Sequence, residues 1–500
     1  MRVVTRYAHS IPKLVCPGGD SGLIISTRDL NYVVSVDKPS MRMTFQSGVT
    51  LKNLIDVAAR EGLALPHCPY WLGVTLGGML GTGAHGSSLF GKGSAVHEYV
   101  VGMRLVVPAS PVEGYAKVVS LTEADEDLNA AKVSLGVIGV ISQVTLQLQP
   151  LFKRSITNVQ KDDSDLESMI VQFGLEHEFG DVTWYPSQRK VVYRVDDRVS
   201  VNSYGDGVND FIGFRPTSTA LIAITREAEE VEEATDNADS KCVSSMAQVS
   251  IILTSGTGLQ NNDVLYLGYP VIGYQNNMQA AGSCLSSPED ELRTACPWDP
   301  RIKGLFFFQS GLSISLSKIG QFLSDVRKLR DTIPSSLCGV ELYNGFLMRY
   351  VKASSAYLGK QEDSVDIEIT YYRAKDPSSP RLYEDVLEEI EQMALMKYGA
   401  LPHWGKNRNI AFDGVMKKYM KYDGFLSVKN QYDPNGLLSN DWTDDVLGIG
   451  EAGVIIWKDG CALEGLCVCS EDSHCAPTEG YFCKPGRIYS EARVCRFQGS

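Results

Sequence analysis

The sequence predicts an α+β fold with two large domains and a short cysteine-rich tail. Three observations carry that expectation. The 500 residues exceed the size of one ordinary hydrophobic core. Strand-like runs and amphipathic helical stretches alternate through both halves of the chain. Six of the 12 cysteines (Cys461, Cys467, Cys469, Cys475, Cys483 and Cys495) crowd into the C-terminal segment, which is poor in large apolar residues.

The first domain is expected over residues 1–150. Residues 22–36 read as two short β runs. Thr50 is placed to cap a helix over 51–61, and Gly62 to end it. Residues 98–107 and 115–121 read as strands, and 136–149 open with two glycines and continue as a β-branched run.

The second domain is expected over 151–445. Residues 190–201 read as a hairpin, and the acidic run 227–239 as a solvated helix or loop. A strand is expected over 304–316. A helix capped by Ser317 follows, with Ile319, Phe322, Leu323, Val326 and Leu329 on one face. Further strands are expected at 339–352 and 364–373. A long helix over 382–397 carries Leu382, Val386, Ile390 and Met393 on one stripe, and Gly399 stops it.

Residues 445–460 resemble a linker, and the tail occupies 456–500. Its even cysteine count predicts three disulfides, with the pairing left open. A zinc module is the weaker alternative, because the spacings lack paired CxxC units and His474 is the only histidine nearby.

Composition narrows the partners. The hydrophobic share of 44% and charged share of 21% are those of a soluble globular chain. A net charge of −13 argues against nucleic acid. No apolar stretch approaches the roughly 18 residues needed to cross a bilayer. Met1 runs straight into a strand-like segment, so no secretory leader is read. The cysteine-rich tail nonetheless suggests the secretory pathway or an extracellular site, in a chain whose beginning is absent.

The run GGMLGTGAHGSS at 77–88 packs five glycines into ten residues (Gly77, Gly78, Gly81, Gly83, Gly86). Each costs about 1 kcal/mol in a helix relative to alanine, so such a run means that bare backbone must approach something closely. An anionic cofactor is the usual reason. Gly81, Gly83 and Gly86 satisfy GxGxxG, but no amphipathic helix follows, which argues against a Rossmann fingerprint. A Walker loop fails as well, since Gly93 follows Lys92 where Ser or Thr is needed.

Four segments carry a specific resemblance: RYAHSIPK at 6–13, GGMLGTGAHGSSLFGKGSAVH at 77–97, VSLGVIGVISQVTLQLQP at 133–150 and HWGKNRN at 403–409. Together they resemble the aldonolactone oxidases of the vanillyl-alcohol oxidase (p-cresol methylhydroxylase-type) superfamily. The tail sequence CALEGLCVCSEDSHC at 461–475 is similar to that of the plant L-gulonolactone oxidase branch in particular. The resemblance covers essentially the whole chain. It implies an FAD-binding domain, N-terminally incomplete here, followed by an α+β substrate or cap domain.

The resemblance also implies site residues. Arg6, Tyr7, Ala8, His9 and Ser10 fall in the FAD loop. His9 stands where relatives join a histidine to the flavin 8α-methyl, although Ala8 replaces the usual preceding glycine. A histidine that only hydrogen-bonds the flavin is the alternative. Gly78, Gly81, Thr82, Gly83, Ala84, His85, Gly86 and Ser87 would line the flavin, with Val140 and Ile141 from the later β run. His85 would shape the loop, or else be an ordinary core histidine. Lys406 and His403 of HWGK would share the substrate pocket, with Lys406 supplying positive charge beside the flavin and Arg349 a second cation.

Relatives carry Glu-x-Arg here, but this chain reads FLMRY. Leu347 therefore stands in the glutamate's place, leaving Glu341, Glu368 or water to take the hydroxyl proton. Cys68 is expected to be a buried thiol. His67, His97 and His177 lack partners at metal-ligand spacing, so no metal site is expected.

The reaction implied is oxidation of L-gulono-1,4-lactone, or a similar aldonolactone, at C2 to give ascorbate, with O₂ reduced to hydrogen peroxide. Two alternatives stand beside it. One is an FAD oxidase of another sugar or polyol, and the other is a shortened, non-catalytic chain that binds FAD weakly. Membrane association is an expectation drawn from animal relatives, and no residue here encodes an anchor.

Overall fold

A computed structural model describes residues 1–5, 10–214, 216–262, 264–280, 307–372, 374, 376 and 379–498. Alternating apolar residues build its first sheet. Strands β3 (Val33–Asp37), β4 (Arg42–Gln46), β5 (Val100–Pro108), β6 (Ala116–Thr122) and β7 (Val140–Gln147) pair antiparallel in the order β3-β4-β7-β5-β6. Met43, Phe45, Met103, Leu105, Val144 and Leu146 recur at every second position and are buried on one face. A short parallel pair, β1 (Arg2–Val4) and β2 (Ile24–Ser26), lies apart from this sheet. Arg2 is buried and donates to the carbonyls of Leu14, Leu135 and Leu438, tying the first strand to the rest.

Helix α1 (Leu51–Arg60) begins where expected. Thr50 Oγ1 accepts from Asn53 N at 3.2 Å, and Leu51, Leu54, Ile55 and Ala58 face the core. The positive φ of Gly62, 76°, lets the chain turn out of the helix. The glycine run folds its first half into a short helix, α2 (Leu76–Gly81).

The second sheet has eight antiparallel strands: β8 (Lys153–Asp162), β9 (Asp181–Tyr185), β10 (Lys190–Val199), β11 (Val271–Tyr274), β12 (Phe307–Ser315), β13 (Phe346–Val351), β14 (Ser364–Tyr372) and β15 (Leu401–Pro402). Their order is β11-β8-β10-β9-β13-β14-β12-β15. Period-two alternation separates its faces. Val182, Trp184, Leu312, Ile314, Phe346, Met348, Ile367 and Ile369 point one way and pack with residues of α3 (Leu166–Glu176) and α6 (Ile319–Thr332). The other face is polar. One register row across it reads Asn158, Arg194, Asp181, Arg349, Asp366, Ser313. A charged face that is covered by other structure marks the sheet's working side.

Several expectations need correction. Residues 190–201 are not a hairpin: β10 is one continuous strand bonded to β8 and β9. Asp196 is no turn residue, because it is buried against Arg154. The acidic run is helical and mostly solvated, as expected, but one side of it is not: within α4 (Pro216–Ala234), buried Glu229 and half-buried Glu233 pair with Lys241 of α5 (Ala238–Thr254) and with Arg381. The strand expected at 339–352 is confined to Phe346–Val351. Cys338–Glu341 forms a helical turn, held by a Cys242–Cys338 disulfide that the sequence did not suggest. Helix α6 starts after Lys318, and Ser317 bonds the Ser315 hydroxyl instead of capping. The long helix is α7 (Glu384–Gln392) followed by a π turn at Met393–Lys397, and Gly399, with φ 69°, ends it. The segment read as a linker is anchored through buried Val454, whose carbonyl accepts from Asn409.

The tail forms three disulfides, Cys461–Cys467, Cys469–Cys483 and Cys475–Cys495, around a small buried cluster. Cys68 is a buried free thiol, as expected, and burial pushes its ionisation up to about 12. No helix among the described residues is long and apolar enough to cross a membrane.

Candidate active site

A cavity of about 530 Å³ lies between the glycine run and the polar face of the eight-stranded sheet. That is within the usual range for small-molecule sites, roughly 300–1,000 Å³. Both halves of the chain contribute walls. Gly78, Gly81, Thr82, Ala84, His85 and Ile141 line it from the first domain. Arg349, Glu368, His403 and Lys406 line it from the second.

The two walls are clasped together. Arg349 donates to the His85 carbonyl at 2.8 Å, Ser87 Oγ to the Gly180 carbonyl, and Ser88 N to the Tyr350 carbonyl at 2.8 Å. The glycine run therefore docks along β13, and Arg349 is part of the joint.

The charged end of the cavity is built from three residues on different elements. Residues two apart on a strand share a face, so Leu347 and Arg349 of β13 both look into the cavity. Glu368 of β14 is the register partner of Leu347. Lys406 arrives from the loop after β15, over Gly311 of β12. Arg349 and Lys406 both bond Glu368 Oε1, whereas Oε2 takes no hydrogen bond from the described residues. Burial alone would raise the Glu368 carboxyl. The two cations outweigh it and hold the group below the usual carboxylate range.

His403 is buried, and its Nδ1 accepts from Gly405 N at 3.0 Å. Burial, with Lys406 beside it, pushes its ionisation well below the ordinary histidine value, so it is neutral. With Nδ1 accepting, its proton resides on Nε2. His85 Nδ1 meets the Gly86 carbonyl at 2.9 Å and Nε2 stands 3.5 Å from Asp366. Burial keeps it neutral also.

Not every expected residue reaches the cavity. Gly83, Gly86, Ser87 and Val140 are absent from its lining. A Cβ at Gly86 would stand 2.6 Å from the Cys68 carbonyl, so that glycine is needed for packing. Gly83 faces Val133. Ser87 holds Gly180 and Tyr350 N. Val140 points away because its neighbour Ile141 takes the inward side of β7. Arg6, Tyr7, Ala8 and His9 lie outside the described residues. Ser10 lines the cavity.

Of the two carboxylates that could replace the missing glutamate, Glu341 is elsewhere. It is satisfied by Ser187, Gln188 and Ser245. Sequence reasoning missed Tyr70, Asp181 and Arg194, which form a bonded trio at the cavity wall. Asp181 and Arg194 follow from the register of β9 and β10 with β13, whereas Tyr70 comes from the segment between α1 and α2.

The cavity suits an FAD. A Cβ at Gly81 would meet no atom within 4 Å, and one at Gly78 only Thr75 Oγ1 at 3.3 Å, so these glycines present open backbone to the cleft. Ser10 Oγ and Ser47 Oγ line it, buried and without a partner among the described residues, and so have hydrogen-bonding capacity for a ligand.

Comparisons with known proteins agree with this geometry. A family model described as an FAD binding domain matches residues 8–112. One described as D-arabinono-1,4-lactone oxidase matches 306–446, and one described as L-gulonolactone oxidase 2-like, C-terminal domain, matches 458–497. The chain is 57% identical to L-gulonolactone oxidase 5 of Arabidopsis thaliana over 497 residues, covering 99% of this chain and 84% of that one. It is 58% identical to L-gulonolactone oxidase 2 of the same plant, with 99% and 84% covered. Among solved structures, a solvent-stable cholesterol oxidase superposes with a TM-score of 0.65 at 14% identity, covering 85% of this chain and 86% of that one.

Proposed function

Because the chain belongs to the L-gulonolactone oxidase family, we propose that it oxidises L-gulono-1,4-lactone or a closely related aldonolactone at C2. The product is a 2-keto lactone that enolises to ascorbate, and O₂ is the terminal acceptor, giving hydrogen peroxide. FAD is its cofactor.

One observation carries the reading: Arg349, Glu368 and Lys406 converge at one end of a cavity whose other wall is bare glycine backbone. Bound FAD supplies the oxidant, accepting the carbinol hydrogen with its electron pair. The protein's own residues do the rest. Gly78 and Gly81 let the cofactor lie against the main chain, and Ser10 and Ser47 offer it hydroxyls. Arg349 and Lys406 fix two positive charges where negative charge develops during oxidation. Preorganised groups of this kind are worth about 3–4 kcal/mol each in comparable sites. Neutral His403 presents Nε2–H as a donor that orients a substrate oxygen. The eight-stranded sheet forms the opposite wall of the cleft.

Leu347 in place of a carboxylate favours a second reading, an oxidase of another CH–OH donor. Peroxide release across a panel of aldonolactones, free sugars and polyols separates the two. The lactones are expected to lead, and a polyol that outruns all of them overturns the substrate assignment. Acid precipitation of the yellow protein tests the link at His9. Colour that stays in the pellet, and moves to the supernatant in His9→Ala, supports covalency. The disulfides Cys242–Cys338, Cys461–Cys467, Cys469–Cys483 and Cys475–Cys495 support maturation in an oxidising compartment.

A further inference from the structure

We propose that Glu368, reaching the cavity from the strand beside Leu347, accepts the proton of the substrate hydroxyl. The inference rests on the oxidase reading above. The argument is geometric. Oxidation of a secondary alcohol breaks two bonds: C–H, whose electron pair leaves with the hydrogen to FAD, and O–H, whose proton needs an acceptor. A C=O bond forms, and two electrons, one hydrogen and one proton are accounted for.

The acceptor must line the cavity and have a free lone pair. Asp366 is buried behind the wall, against Ser313 Oγ at 2.5 Å, and does not line the cavity. Glu341 is saturated away from it. His403 spends its acceptor nitrogen on Gly405 N. Asp181 lines the cavity and also has one oxygen free of Tyr70 and Arg194, but burial outweighs Arg194 and raises its carboxyl, so it is held in the ionised form less firmly than Glu368, which two cations bind. His85 lines the cavity but turns its Nε2 towards Asp366, 3.5 Å away, so Glu368 remains: both cations sit on Oε1, leaving Oε2 without a hydrogen bond from the described residues.

The register explains how a carboxylate is available without Glu-x-Arg. Leu347 and Glu368 are directly paired on adjacent antiparallel strands. Such neighbours have Cβ atoms about 4.5–5.5 Å apart on one face. A carboxylate is thus supplied from the neighbouring strand, on the face that Leu347 and Arg349 share.

The charged groups acting on Glu368 are Arg349, Lys406 and Asp366, with Lys360 also in range and neutral His403 beside Lys406. Arg349 and Lys406 keep Glu368 ionised and ready to accept. The acid limb of kcat/KM therefore reports its protonation, at a pH below the usual carboxylate range.

Glu368→Gln tests this in the flavin-loaded chain with two readouts. Turnover with the best lactone is expected to fall at least about 100-fold in kcat/KM and to lose its acid limb. Asp181→Asn is expected to keep the acid limb. Independently of turnover, removing one negative charge beside Arg349 and Lys406 is expected to tighten sulfite binding to the flavin, read as bleaching of its visible absorption, by about threefold or more. Kinetics within about fivefold of the parent, an acid limb that survives Glu368→Gln, or one abolished by Asp181→Asn instead each overturn the proposal. Unchanged sulfite affinity overturns it as well, because Glu368 would then not share the flavin's charge environment. If the parent chain binds flavin but oxidises no lactone, the substrate reading falls, whereas the sulfite measurement still decides the placement of Glu368.

Discussion

Asn407 closes both backbone groups of Gly311: its Oδ1 accepts from Gly311 N at 3.0 Å, and its Nδ2 donates to Gly311 O at 3.0 Å. Its own N–H bonds the Gln309 carbonyl at 2.9 Å, and its φ of 76° lets the loop turn back along β12. The residue before it is Lys406. The clamp therefore sets where the lysine leaves the loop, and Gly311 leaves the space through which it crosses to Glu368.

A methyl group at Gly311 would stand 3.0 Å from His403 Cβ and 3.2 Å from Lys406 Cδ. Both contacts are tighter than side-chain packing usually allows, so the lysine must shift. Gly311→Ala is expected to lower kcat at least about tenfold with flavin content unchanged. Steady-state kinetics beside the flavin-to-protein absorbance ratio check this, and parental kcat would show that the lysine is not held by this contact.

Lys406→Ala removes a fixed positive charge without touching the glycine wall. Turnover is expected to drop at least about tenfold while flavin remains bound. Loss of flavin together with activity would instead make Lys406 a cofactor-binding residue, which a spectrum of the purified variant distinguishes.

Much of this arrangement was legible in the chain. The glycine run, HWGK and Arg349 could be read because close backbone approach and fixed charge demand particular residue types at short spacing. The Thr50 cap and the buried stripe of α6 could be read because helical period and capping are local. What was hidden depends on register between distant strands. Glu368 could be named as a candidate, but its place opposite Leu347, and that of Asp181 opposite Arg349, follow from pairings that no single segment encodes. The buried side of helix α4 was hidden for a related reason. Glu229 looks solvated until Arg381, about 150 residues onward, is folded against it. Gly86 and Ser87 fell inside the right motif but serve packing and docking, since one loop must meet both the cleft and the cap sheet.

His67 gives the fold a pH dependence that can be isolated. It is buried beside Phe179, and burial, reinforced by Arg154 and Arg198, lowers its ionisation from 6.5 to about 3. The unfolded chain takes up this proton near pH 6.5, and the folded chain does not until about pH 3. Acidification through that window thus favours the unfolded state, and the His67 contribution is fully present only above pH 6.5. His67→Phe keeps the ring packing and removes the titration. The slope of unfolding free energy against pH between these limits is expected to shrink by up to about 1.4 kcal/mol per pH unit. Burial also depresses His85, His97 and His403, so part of the slope remains. Urea unfolding at two pH values decides it, and an undiminished slope sinks the assignment.

The tail braces the catalytic loop from outside the cavity. Its main chain supplies donors to α7: Cys495 N to Glu388, Ile488 and Tyr489 N to Glu389, and Arg493 N to Gln392, all within 2.6–2.8 Å. On the same helix, Glu391 holds Arg408, two residues after Lys406, and also Ser310 of β12. Within the Cys461–Cys467 loop, the Gly465 carbonyl accepts from Ile410 N at 3.2 Å. The disulfides hold a segment that has only a small apolar cluster of its own, so their loss falls first on stability. Cys475–Cys495 closes a separation of 20 residues, for which removal costs about 3 kcal/mol. A Cys475→Ser/Cys495→Ser variant is therefore expected to melt well below the parent. Its flavin spectrum at low temperature should be unchanged, because the tail contributes no residue to the cavity lining. As the temperature rises towards the new transition, turnover is expected to fade before flavin is released, since the strut through Arg408 loosens ahead of the glycine wall. Flavin release that precedes the loss of turnover would place the tail's influence on the cofactor cleft instead of on Lys406.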